Sequence, residues 1–282
     1  MTEQSSFEER HARAAEVFGR FAPDVEPERA ARSMERRLGA LGTFGFNTVA
    51  GDLWCRPELS RRDRSLVVIS VLAATARDEE LEAHVGVGLN HGLTKTEIEE
   101  LNLHVAGYAG FPAAMAASRH IDAAFRRKDG LDPSARIEGR EPAAHKSDAE
   151  RDRDAADVRR TLTAGRAAAD PAEDLANMEA YLGGIGTLAF RWAFGEIWSR
   201  PELSRRDRSL CVIAILGALG QEKELAVHVP GGLNHGLTRT EIEEVMVQLT
   251  IYAGFPRAVD GMRAARAAFE KIDARAAKGA AR

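Results

Sequence analysis

The chain has 282 residues, 44% hydrophobic and 29% charged, with 39 basic against 43 acidic side chains. That length suits about two domains. The acidic excess argues against a dedicated nucleic-acid binder, and two cysteines, Cys55 and Cys211, exclude a disulfide framework or a Cys-rich zinc module.

No apolar run reaches the ~18 residues that span a bilayer. The charged stretch Met1 to Arg20 has no apolar signal segment, so a soluble, cytoplasmic protein without membrane contacts is expected. The 49 alanines and many Leu, Glu and Arg, with 6% aromatics, favour helix, and strand-like alternation is scarce. The predicted class is all-α.

In chain order, Arg56-Pro57 breaks any preceding helix. Ser60 is a predicted N-cap with Asp63 in the first turn, opening a helix whose run Leu66–Ala74 is apolar almost all round and therefore central. EELEAHVGVGLNHG forms the next helix, closed by Gly92. Thr94 and Glu97 form a capping box that starts IEELNLHVAGYAG, and Gly110-Phe111-Pro112 leads into an Ala-rich helix ending near Phe125.

The same order then recurs. Residues 51–125 align without a gap on 195–269, an offset of 144, with 43 of 75 positions identical. LGALGTFGFN from Leu38 lies more weakly against LGGIGTLAFR from Leu182. The period is too long for a solenoid unit and fits a duplicated domain. The expected organisation is a first domain over 1–125, a charged exposed linker over 126–154, a second domain over 155–271 and a frayed tail over 272–282.

The segments RPELSRRDRSL, E-L-x-x-H-V-x-x-x-L-N-x-G-L-T and Y-A-G-F-P, present in both copies, resemble the carboxymuconolactone decarboxylase family. The resemblance implies an all-helical, alkylhydroperoxidase-like fold that assembles into rings. Three tandem chains would then form a pseudo-hexamer. It also implies a small-molecule substrate and one of two chemistries, lactone decarboxylation or thiol-based peroxide reduction. Peroxidase-like members carry C-x-x-C just before the family histidine, whereas RDEELEAH and QEKELAVH contain no cysteine, so the thiol branch is disfavoured.

What remains is Glu80 with His84, and Glu224 with His228. Their i, i+4 spacing puts carboxylate and imidazole on one helix face, where the carboxylate would raise the imidazole pKa and fit the pair for proton transfer. The same spacing also suits a purely structural hydrogen bond; the family match favours the catalytic reading. After loss of CO2 the electron pair delocalises into a conjugated carbonyl or lactone, so neither metal nor organic cofactor is expected. The histidine spacing gives only two convincing metal ligands per copy.

Further candidates contact substrate. His91 and His235 follow Asn90 and Asn234 at a helix end, and Glu196 and Trp192 bring copy two closer to the family pattern, marking it as the better site. Arg64 and Arg208, inside R-R-D-R, are expected to pair with an interior carboxylate or that of a substrate. His104 is Gln248 in copy two, which argues against a shared essential role, and Trp54 and Trp198 read as packing anchors. Decarboxylase members read H-V-R after the histidine; here Gly86 and Pro230 replace that arginine, predicting a roomier, less charged pocket and a helix that ends or kinks at Pro230. The leading reading is a cofactor-independent lyase acting on a lactone, keto acid or polycyclic molecule. The alternatives are an isomerase or cyclase without CO2 loss, or a non-catalytic ring protein that binds a small ligand.

Overall fold

The computed structural model describes residues 5–134 and 142–280, and among them every regular element is helical. Copy one runs α1 (Phe7–Phe21), α2 (Pro27–Leu38), α3 (Ala40–Phe44), a π-helix (Gly45–Trp54), α4 (Arg61–Ala74), α5 (Asp78–Asn90), α6 (Lys95–Tyr108) and α7 (Phe111–Lys128). Copy two repeats the series as α8 (Asp148–Leu162), α9 (Pro171–Leu182), α10 (Gly184–Leu188), a second π-helix (Ala189–Trp198), α11 (Arg205–Leu219), α12 (Glu222–Asn234), α13 (Arg239–Tyr252) and α14 (Phe255–Ala280).

The caps fall where the sequence places them. Ser60 accepts from the Asp63 N–H, Thr94 and Glu97 form a reciprocal box, and Thr238 and Glu241 form its counterpart. Gly92, at φ 93°, supplies the turn after α5. Every residue from Asp63 to Ala74 in α4 and from Asp207 to Ala218 in α11 is buried. Burying a Leu, Ile or Val side chain is worth about 1.5–3 kcal/mol, so these two helices supply much of the driving force. They pack on each other, and each also packs on the other copy, α4 against α13 and α11 against α6. The duplicated domains thus share one core.

Three boundaries differ from the sequence reading. The linker assigned to 126–154 is shorter at both ends, because α7 runs to Lys128 and α8 starts at Asp148, where Ser147 and Glu150 form a capping box. The central part of that linker, 135–141, lies outside the described residues. The expected tail after Lys271 is helical to Ala280. Finally, α12 continues through Pro230 to Asn234. A single proline removes one N–H, and helical bonding resumes where His235 donates to the Gly231 carbonyl at 3.0 Å.

The helices that precede the repeated core lie along the π-helices, α1 on the first and α8 on the second. Glycine permits this approach: a Cβ on Gly51 would sit 2.5 Å from the Arg10 carbonyl oxygen, and one on Gly195 would sit 2.5 Å from that of Arg151. Gly51→Ala and Gly195→Ala should each lower unfolding free energy by about 1–3 kcal/mol, because backbone rather than a flexible side chain must yield. Urea titration followed by circular dichroism tests this, and an unchanged midpoint would refute the packing argument.

Candidate active site

The two copies exchange charges before they build a site. Arg64, fully buried, donates to Glu244 Oε1 and Gln248 Oε1 of copy two, each at 2.8 Å. Arg208, equally buried, donates to Glu100 Oε2 of copy one at 2.8 Å and lies 3.1 Å from His104 Nε2. Arg56 closes on Glu244 through two hydrogen bonds, and Arg200 on Glu100 through one. Of the two pairings expected for Arg64 and Arg208, the structure forms the one with an interior carboxylate, and it holds the copies together. The unlike pair His104 and Gln248 do one job, each presenting an acceptor to the buried arginine.

One turn beyond those acceptors stand Tyr108 and Tyr252. The Tyr252 hydroxyl accepts from Trp54 Nε1 at 2.9 Å, and the Tyr108 hydroxyl from Trp198 Nε1 at 3.0 Å. Each tyrosine meets the other copy's histidine edge-on: His84 with Tyr252 and His228 with Tyr108 both have ring centroids 5.2 Å apart. The tryptophan of the same copy stacks on the histidine's far side at 6.1 Å. Each histidine cluster is thus completed by a tyrosine from the opposite copy.

Glu80 and Glu224 are exposed, and no hydrogen bond or ion pair joins them to His84 or His228. The expected rise in imidazole pKa is reversed. Burial, with His91 and His235 nearby, pulls both His84 and His228 down to about 4. Burial also raises both tyrosine hydroxyls, so they remain protonated at neutral pH. Nδ1 of each histidine is buried without a hydrogen-bond partner.

The copies diverge in the space around the ring. A cavity of about 870 Å³ opens at His84, walled by Phe18, Phe21, Val49, Ala50 and Val87, with Tyr252 also on its surface. Such a volume suits a small organic ligand. Gly86 lines it too, at the position where the arginine is missing. At His228 the matching places are filled. Phe194 replaces Ala50, and Leu162 packs flush against Gly231, the counterpart of Val87. Arg159, in the place of Phe18, is tied to buried Asp174 at 2.7 Å and covers the Phe194 ring at 5.4 Å. His228 is only 6% exposed. The spacious site is therefore in copy one, opposite to the sequence expectation.

Of the remaining candidates, His91 and His235 border these clusters, and Glu196 and Trp192 have other partners. His91 pairs with Ser65 Oγ and His235 with Ser209 Oγ, each at 2.8 Å, so both are held as structural neighbours of the tryptophans. Glu196 lies 3.7 Å from Arg151, and Trp192 stacks on Phe111 of copy one at 5.4 Å. Cys55 donates to the Gly51 carbonyl, and burial raises the Cys211 thiol to about 12, leaving it without thiolate character. Among the described residues no group of three or more His, Cys, Asp or Glu is placed to hold a metal, and no helix is long and apolar enough to cross a membrane.

Comparison with known proteins agrees with this architecture. The sequence model of the carboxymuconolactone decarboxylase family matches residues 42–123 and again 184–267. The chain belongs to that family, as a tandem member. It is 43% identical over 82 residues to the 4-carboxymuconolactone decarboxylase of Acinetobacter baylyi, covering 29% of this chain and 61% of that protein. It is 36% identical over 77 residues to the nitrosuccinic acid decarboxylase npaB of Metarhizium robertsii, covering 27% of this chain and 52% of that protein. The chain thus spans about three-fifths and about half of these relatives' lengths.

Burial of the imidazoles has a measurable consequence. His84, His91, His228 and His235 are all held at about 4, below the ordinary 6.5. As pH falls from about 6.5 towards 4, the unfolded chain takes up protons that the folded one refuses, so stability is lost across that window. Urea midpoints should fall steadily from about pH 7 to 4.5, and NMR titration of His84, His91, His228 and His235 in the folded protein should centre near 4. Midpoints near 6.5 would contradict the burial.

Proposed function

We propose that the protein is a cofactor-independent decarboxylase acting on a small keto acid, lactone or related polycyclic acid, with its reaction in the His84 cavity. The carrying observation is the arrangement there: an imidazole on the wall of an apolar chamber, with a phenol brought in from the other copy. The decarboxylase names of the two relatives support the same reaction class.

The chemistry follows from the charges. Breaking the bond between the substrate carbon and its carboxylate releases CO2 and leaves an electron pair, which moves into the adjacent carbonyl as an enolate. Tyr252 accepts from Trp54, so its own proton is free for the developing oxyanion, and the apolar walls strengthen that hydrogen bond. Burial keeps His84 neutral at pH 7. Negative charge arriving beside it favours the protonated imidazole, which then delivers the proton to carbon. Glu80 and Glu224 have no required part in these steps, since neither reaches its histidine. Copy two supplies Tyr252, and its His228 cluster is structural.

Three chains forming a pseudo-hexameric ring is the assembly that fits the surface. Leu41 and Phe44 on α3 are 69% and 63% exposed, and their counterparts Ile185 and Leu188 on α10 are 70% and 65% exposed. Paired apolar faces of that kind call for further copies of the chain.

His84→Gln should lower CO2 release by roughly 10²–10⁴-fold, Tyr252→Phe by at least about tenfold, and His228→Gln by no more than a few-fold. Manometric or coupled CO2 assays decide this; equal losses from His84 and His228 would overturn the assignment to copy one, and product formed without CO2 would favour an isomerase. Light scattering should give three chains per particle, and Leu41→Glu with Ile185→Glu should release single chains. A wild-type monomer would refute the ring.

A further inference from the structure

Among the described residues the His84 cavity is lined by two cations, Arg127 and Lys128, and two carboxylates, Asp24 and Glu82, and Lys128 is the cation that pairs with neither carboxylate. Its neighbour Arg127 is committed to an ion pair with Glu82. Lys128, also lining the cavity, donates to Asn90 Oδ1 at 2.6 Å and meets no carboxylate among the described residues. Asn90 is itself fixed, because its Nδ2 donates to the Phe21 carbonyl at 2.8 Å. The ammonium is therefore held by a neutral oxygen at the edge of an apolar chamber, with donors left over. Copy two lacks both halves of this arrangement. Asn234 repeats the bond to the Leu162 carbonyl at 2.7 Å, but Ile272 stands where Lys128 would be, and Phe194 fills the place of Ala50. Cation and open space are present together in copy one and lost together in copy two.

We infer that this cavity takes an amphipathic anion, one per chain: a carboxylate on Lys128 Nζ, and an extended apolar body against Phe18, Phe21 and Val49. The inference rests on the reading of the His84 cavity as the reaction site and narrows its substrate class. The acid has an apolar body large enough to fill much of about 870 Å³, and its anchoring charge is met by α7 rather than by the helix that carries the histidine.

Decanoate is a suitable probe, with decanol as its uncharged control. Isothermal titration of the full chain should show one decanoate site per chain and much weaker decanol binding. Lys128→Met keeps the apolar stem and should weaken decanoate about five- to tenfold, the scale of a partly solvated charged hydrogen bond, leaving decanol unchanged. Ala50→Phe, which copies the second domain, should abolish binding of both, with its helical circular dichroism retained. Equal affinity for decanoate and decanol, or wild-type decanoate affinity in Lys128→Met, would overturn the anion site. Two sites per chain, or full binding in Ala50→Phe, would overturn its placement. Binding of decanoate requires no turnover, so a failed CO2 assay refutes the reaction and leaves this result standing, while failed binding leaves CO2 release at His84 to be judged separately.

Discussion

Each copy buries an arginine whose carboxylate partner belongs to the other copy. Arg64 needs Glu244 and Arg208 needs Glu100, and all four side chains are withdrawn from solvent. A guanidinium in such a place is tolerable only while its partner is present, since removing one member of a buried pair costs about 3–5 kcal/mol. Sliding or parting the copies would strand both arginines at once. At the rim the exchange is repeated: Arg62 reaches Asp207 and Arg206 reaches Asp63, each at 2.9 Å. Apolar packing of α4 on α11 holds the domains together, and these directional bonds fix their register.

The register in turn builds the site. On α13, Glu244, Gln248 and Tyr252 follow one another at intervals of four, as do Glu100, His104 and Tyr108 on α6. Residues so spaced share a helix face. Once the first two members are bound to the other copy's arginine, the third is delivered to the other copy's histidine. The tyrosine's position is thus a consequence of the ion pair two turns before it. Its hydroxyl is then set by the indole N–H at the end of the opposing π-helix. The His84 cluster is accordingly built from residues of both halves of the chain.

Much of the scaffold is legible locally. Ser60 with Asp63, Thr94 with Glu97 and Gly92 announce helix ends, and the 144-residue repeat announces the duplication. The linker was harder to delimit because α8 opens with charged residues and shows its buried stripe, Ala155, Val158 and Leu162, only in its second half. The Glu80–His84 pair shows the limit of spacing as evidence. An interval of four allows contact but does not say which way the shared face turns, and here the packing leaves Glu80 in solvent. Tyr108 and Tyr252 lie in a segment that is plain in the sequence, yet their partners are 120 and 168 positions away. A sequence signal for them did exist. A polar residue at the first two of three positions spaced by four, recurring in both copies and buried, marks a face that must find polar partners outside its own helix.

Fusion of two copies also explains where they are free to differ. Positions that touch only a copy's own pocket have diverged: Ala50 against Phe194, Val87 against Gly231, Lys128 against Ile272. Positions that serve the opposite copy keep their role on both sides: Glu100 matches Glu244, Tyr108 matches Tyr252, and the unlike His104 and Gln248 each accept from the other copy's buried arginine. Closing the second pocket does not release copy two from the arginine clamp, since Glu244 must still meet Arg64. Phe194 and the Arg159–Asp174 pair then fill the pocket of the half which presents Tyr252. A single open cavity beside a closed twin is the arrangement these constraints permit, and a lone copy would lack both its arginine's partner and its tyrosine.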